Sequence, residues 1–164
     1  MIIENKNTTV RINQTRLILL IIFIPLILVM STTDIMGRTI MGMNKYYWVI
    51  FLTLIYIVYN IYEYIKDFNY IYFSDEDEEG KLILRYISLR PFKGRRFSIE
   101  IEKEKFYAYK IVRAVFNLNK YIILYINTPQ GVAKYPPISI TALNTDEYNK
   151  LKKALYQHAN RNKD

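Results

Sequence analysis

Hydrophobic positions run unbroken through residues 17–33 and again through residues 46–62, then give way after Phe68 to an alternating pattern. Each run holds seventeen residues without a formal charge, and twelve residues separate the two. As a helix each would extend about 25 Å at roughly 1.5 Å per residue, close to the ~30 Å of a bilayer's hydrocarbon layer. The pattern therefore predicts a cytoplasmic N-terminal arm (1–16), a transmembrane helical hairpin (17–66) and one soluble domain (67–164).

The first run, LILLIIFIPLILVMSTT, is aliphatic on every side, as a lipid-surrounded helix must be. Pro25 in its middle removes one backbone hydrogen bond and predicts a kink. A secretory signal is the competing reading, but sixteen residues precede the run and Ser31-Thr32-Thr33 is a poor cleavage site. In the second run Tyr46, Tyr47 and Trp48 lie at one end and Tyr59, Tyr62 and Tyr64 at the other, the placement of interfacial aromatic belts. Tyr56, Tyr59 and Tyr62 share a helical face, which reads either as a pairing stripe or as simple interfacial anchoring. Asn60 and Glu63 fall at the exit, within reach of the headgroups. Lys6, Arg11 and Arg16 before the first run and Lys66 after the second, against Arg38 and Lys45 between them, bias both termini to the cytoplasmic side of a bacterial inner membrane.

After the second run the expected elements are strands. Residues 68–73 form a short aromatic strand, 74–80 an acidic turn and 81–90 a second strand. The turn, Asp75 to Glu79, reads as a solvated hairpin tip, since a calcium loop spaces its ligands around an internal glycine. In RRFSIEIE (95–102), Phe97, Ile99 and Ile101 alternate with Ser98, Glu100 and Glu102. Residues 106–114 and 121–127 form a hairpin through Asn117 to Lys120, and Thr128-Pro129-Gln130-Gly131 is a turn. A strand region over 132–140 is broken at Pro136-Pro137. A closing helix over 145–160 is capped by Asn144 and Glu147, with Tyr148, Leu151, Ala154 and Leu155 on its buried face. The span from about Phe68 to Asn160 is expected to fold without the hairpin.

Residues 68–164 carry seventeen Lys plus Arg against eleven Asp plus Glu, a net charge of +6. A basic domain tethered to a membrane is drawn to its anionic leaflet. No recognition helix, zinc site or RNA-binding motif points to nucleic acid. The chain has no cysteine, and His158 is its sole histidine. Neither a His-centred triad nor a conventional metal cluster can be assembled from that inventory, and no phosphate loop, dinucleotide fingerprint or nucleophile elbow is present. The expectation is a non-enzyme without cofactor or metal. The candidate contact site is the loop of Arg90, Phe92, Lys93, Arg95 and Arg96, four cations around an aromatic, which either pairs with phosphate or acidic groups or is a solvated basic loop.

Short antiparallel strands followed by one amphipathic helix, with the segments GKLILRYISLRPF, RRFSIEIEKEKF and TPQGVAKYPPISI behind a two-helix hairpin, resemble small bacterial membrane proteins of the Bacteroidetes type that carry a pleckstrin-homology-like domain. The resemblance implies a membrane α-helical hairpin plus an α+β domain, an antiparallel β-barrel whose end is plugged by the C-terminal helix. It carries no catalytic motif. Three roles follow as expectations: a non-catalytic adaptor presenting the domain to a protein partner, a protein that binds anionic lipid through loop 90–96, or an accessory subunit whose helices bind.

Overall fold

The computed structural model describes residues 1–33, 39–40, 42–76, 80–90, 94–114 and 117–161, with the side chains of 40, 160 and 161 left aside. In chain order the elements are β1 (Ile2–Glu4), α1 (Lys6–Thr32), β2 (Thr39–Ile40), β3 (Met43–Asn44), α2 (Lys45–Lys66), β4 (Asn69–Ser74), β5 (Lys81–Ser88), β6 (Arg96–Glu102), β7 (Phe106–Ala114), β8 (Asn119–Thr128), β9 (Gly131–Lys134), β10 (Ile138–Ser139) and α3 (Thr145–Arg161). They form two compact units, a helical one over Val10–Tyr64 and a β unit made of Met1–Thr9 together with Ile65–Asp164.

In the helical unit, α1 and α2 are both long and apolar enough to cross a bilayer. Their side chains pair at Arg16 with Glu63, with Nε 2.9 Å from Oε2, and at Phe23 with Tyr56, whose rings stack at 5.6 Å. Lys45 Nζ donates to the Thr33 carbonyl at 2.9 Å. Numbers rise in one helix by nearly what they fall in the other, the register of an antiparallel pair. The Lys45 cation lies at the carbonyl-rich C-terminal end of α1, where positive charge is favoured. Tyr56 of the tyrosine stripe is thus a pairing residue. Thr53 and Asn60 donate to the Val49 and Tyr56 carbonyls, so these polar groups are satisfied within α2 itself.

The β unit holds two antiparallel sheets. One has the order β1-β4-β5-β6; the other has the order β10-β8-β7, with β9 also paired to β8. Strand alternation sends Ile71, Phe73, Leu82, Leu84, Ile99 and Ile101 inward from the first sheet and Ile122, Leu124 and Ile138 inward from the second. Leu151, Ala154 and Leu155 of α3 close this core, as their spacing predicts. Glu147 N–H donates to Asn144 Oδ1 at 2.8 Å and Asn144 N–H to Glu147 Oε2 at 2.9 Å, a reciprocal capping box that starts α3 where the sequence places it.

Three expectations are corrected. The sheets do not close into a barrel: β6 and β7 are consecutive, yet the turn between them carries the chain into the other sheet, and the first sheet ends at β6. A register shift between Phe106 and Ala108 adds local twist where β7 begins. Second, residues 1–16 are not a mere arm. Ile2, Ile3 and Glu4 pair with Ser74, Phe73 and Tyr72, and α1 already begins at Lys6. Ile3 is 3% exposed within the core, so the compact unit is completed by a strand that precedes both apolar helices. Third, the second strand stops at Ser88 rather than residue 90, because the chain bends at Leu89-Arg90.

Two buried asparagines join helix ends to sheets inside this unit. Asn5, fully buried, donates from Nδ2 to the Asn69 carbonyl at 2.9 Å and accepts the Ile71 N–H at 2.7 Å, while its own carbonyl accepts Thr9 N–H. Its side chain thereby prolongs the β1–β4 ladder by one position as its backbone opens α1. Asn119 Nδ2 donates at 2.6 Å to the Ile65 carbonyl, one of the four left without a helical partner at the end of α2. Asp67 follows with φ of 48°, the left-handed conformation that terminates a helix.

Because Ile3 and Leu155 fill the same core from opposite ends of the chain, Ile3→Ala and Leu155→Ala should each lower the stability of the β unit by about 2–5 kcal/mol. Thermal unfolding of the full chain followed by circular dichroism checks this. An unchanged midpoint for Ile3→Ala would show that β1 is not part of the cooperative core.

Candidate binding site

The candidate loop divides on folding. Phe92 and Lys93 lie outside the described residues. Arg90 is half-buried, with Nε 2.8 Å from Asp67 Oδ1, so its charge is already committed to the end of α2. Arg95 and Arg96 are exposed at the start of β6, and neither has an acidic partner among the described residues. The three described cations therefore do not converge on one point: Arg90 and Arg95 face one cavity and Arg96 another.

The first cavity, of about 550 Å³, is bounded by Asp67, Asn69, Ser88, Arg90, Arg95 and Ser139, together with Tyr86, Phe97 and Pro137. It opens where the two sheets face each other at their α2 end, bridged there by Asn69 Nδ2 donating to the Ser139 carbonyl at 3.2 Å. The Asp67 carboxylate also accepts the Tyr121 hydroxyl at 3.2 Å. Burial, with the Asp67 charge adding to it against the opposing Asn119 hydrogen bond, pushes the Tyr121 phenol upward and keeps it a donor. The second cavity, about 380 Å³, is a groove on the outer face of the first sheet, lined by Tyr70, Tyr72, Arg85, Ile87, Arg96 and Ser98. Cross-strand register explains that set, since Tyr72 pairs with Arg85 and Arg85 with Ser98, while Tyr70 pairs with Ile87 and Ile87 with Arg96. Tyr70 donates its hydroxyl to Glu4 at 2.8 Å, and burial plus that carboxylate push its phenol up to about 12.

Tyr86 and Phe97 border both cavities. Their rings stack at 5.0 Å with 16° between planes, and Phe97, expected on the buried face with Ile99 and Ile101, is 45% exposed because it lies at the end of the sheet. Periodicity assigns a face to a residue but says nothing of where the core ends. Asp67, Asn69, Ser88, Tyr86 and Ser139 had no signal as site residues, because they come from three separate segments that only folding brings together.

The opposite end of the unit holds a different cluster. His158 has Nε2 3.4 Å from Asp75 Oδ2, and Asp75 with Glu76 pairs with the Met1 ammonium. Two acids of the expected solvated tip are thus engaged, and residues 77–79 lie outside the described residues. Burial works to raise the Asp75 carboxyl, but hydrogen bonds and charge from Met1 and His158 outweigh it and hold the group below its ordinary value of 3.8.

Compared with protein-family models, with curated proteins and with solved structures, the chain matches none.

A carboxyl whose pKa falls on folding contributes stability that is complete above its unfolded value and is lost as pH drops through the lower folded value. Asp75→Asn should therefore unfold at a lower temperature than the parent at neutral pH, and the gap should close below about pH 4. Melting curves of both proteins across pH 2–7 check this; a gap that persists at pH 2 would show that the aspartate acts by packing rather than by charge.

Proposed function

We propose that this chain is a membrane-anchored, non-catalytic adaptor of a bacterial inner membrane. In this reading α1 and α2 cross the bilayer, both termini are cytoplasmic, and the β unit serves as a pleckstrin-homology-like domain that engages a protein partner. One observation carries it: β1, before the first apolar helix, is hydrogen-bonded to β4, after the second. A ladder between those strands needs them in the same aqueous compartment, which two crossings allow and one forbids. Removal of the first helix as a cleaved signal would also take β1 and Ile3 out of the core, which weighs against that reading.

The basic residues before α1 and at the end of α2 support a cytoplasmic compartment for both. The order of two antiparallel sheets followed by a helix on the core supports the pleckstrin-homology-like assignment. Protein docking is favoured by β6, whose outer edge ends the first sheet and offers backbone groups for strand addition. A second reading, contact with anionic lipid, is favoured by Arg95 and Arg96, exposed and without acidic partners among the described residues.

Cysteine accessibility tests the arrangement. With an impermeant thiol reagent on intact cells, Thr39→Cys should react, while Ile2→Cys and Asn127→Cys should react only after permeabilisation. All three positions are exposed, and Thr39 avoids the strain of a side chain at Gly42, where φ is 80°. Labelling of Ile2→Cys or Asn127→Cys in intact cells would overturn the topology. Copurification of the full chain from mild detergent, read by mass spectrometry, should yield a stoichiometric partner, and its absence would overturn the adaptor role.

A further inference from the structure

We propose that the cavity between the sheets at the α2 end takes the phosphate-bearing headgroup of an anionic lipid from the leaflet into which the helices emerge, an inference that rests on the reading that α1 and α2 cross the bilayer. Ile65 and Lys66, the last residues of α2, belong to the β unit, and Asp67 and Asn69, one and three residues beyond the helix, themselves line the cavity. Three residues span at most about 11 Å of extended chain, so a headgroup beside the emerging helix lies within reach.

The cavity carries two guanidiniums, Arg90 and Arg95, against one carboxylate, Asp67, and the carboxylate is taken up by Arg90. Arg95 is left to bind an anion, and a guanidinium fork matches two oxygens of one phosphate. Ser88 Oγ accepts the Arg90 N–H at 3.3 Å and retains its own proton to donate to a ligand oxygen. A volume of about 550 Å³ lies within the usual range for small-molecule sites. The Tyr86–Phe97 stack forms an amphipathic wall of the kind that seats at a membrane interface.

Charge distribution along the β unit supports the same occupant. The α2 end adds Arg96, Arg113 and Lys120 to the cavity's arginines, against Asp146 and Glu147 in the first turn of α3, so cations predominate there; Arg113 and Lys120 are directly paired across β7 and β8. The far end mixes Lys81, Lys103 and Lys105 with Asp75, Glu76, Glu102 and Glu104. An anionic surface is attracted to the first end and not to the second.

A soluble phosphate compound shares this chemistry, so the test separates the two sources. The full chain is purified in detergent with an equimolar mixture of phosphatidylglycerol and phosphatidylcholine, and retained lipid is read by native mass spectrometry. Phosphatidylglycerol should be retained at least fivefold over phosphatidylcholine. Arg95→Gln should abolish that preference, whereas Lys134→Gln, an exposed cation on β9, should leave it intact. Addition of 10 mM glycerol phosphate should not displace the lipid; displacement would assign the cavity to a soluble phosphate ligand and overturn the lipid proposal. Equal retention of both lipids, or an Arg95→Gln variant that keeps the preference, would also overturn it. Carbonate extraction of the same membranes reads the anchoring separately: release of the chain refutes the hairpin, whereas an embedded chain without lipid preference refutes only the cavity's role.

Discussion

Everything in the β unit depends on the pairing of a three-residue strand with one that follows more than sixty residues later. Ile2–Glu4 is too short to be stable alone, and it is held because Ile3 enters the core and Asn5 adds two side-chain hydrogen bonds to the same partner strand. Both bonds lie in a site sealed from water, where a lone amide would cost on the order of 1–3 kcal/mol. Asn5 is therefore committed to β4, and the start of α1 is fixed to the sheet. The two apolar helices are thereby an insertion between the first and second strands of one domain.

Asn119 does the complementary work at the other helix end. Its amide holds the Ile65 carbonyl, and Asp67 just beyond turns the chain through a left-handed residue while gathering Arg90 and Tyr121. Termination of α2, the bend after β5 and the hairpin between β7 and β8 are consequently linked through one polar cluster. That cluster also forms a wall of the larger cavity, so the geometry of the candidate site is held by the same groups that end the helix. A basic loop built only of exposed side chains would have no such definition.

The two apolar helices, the strand-rich segment, the turn at Pro129, the break at Pro136-Pro137, the capping box of α3 and the burial of Leu151 and Leu155 were all legible in the sequence. Each rests on a local signal, whether apolar run length, period-two alternation, ring-fixed φ or the reach of a side chain across three residues. The candidate site was legible only as a basic stretch. Position along the chain could not tell that Arg90 would turn to Asp67 while Arg95 faced open space, because an ion pair between residues twenty-three apart is decided by how the bend after β5 returns toward the helix end.

What the sequence by itself determined is the kind of each element and the side on which it is apolar, since these depend on neighbours within a few residues. Tertiary structure alone decided that the N-terminal residues complete the sheet, that consecutive β6 and β7 part into different sheets and leave them open, and that Phe97 ends outside the core its alternation assigned it to. It also decided which of the three described arginines remain open to a ligand. Strand pairing joins residues by backbone hydrogen bonds that carry no trace of side-chain identity, and a three-residue strand is shorter than the roughly four to eight residues over which alternation can be read.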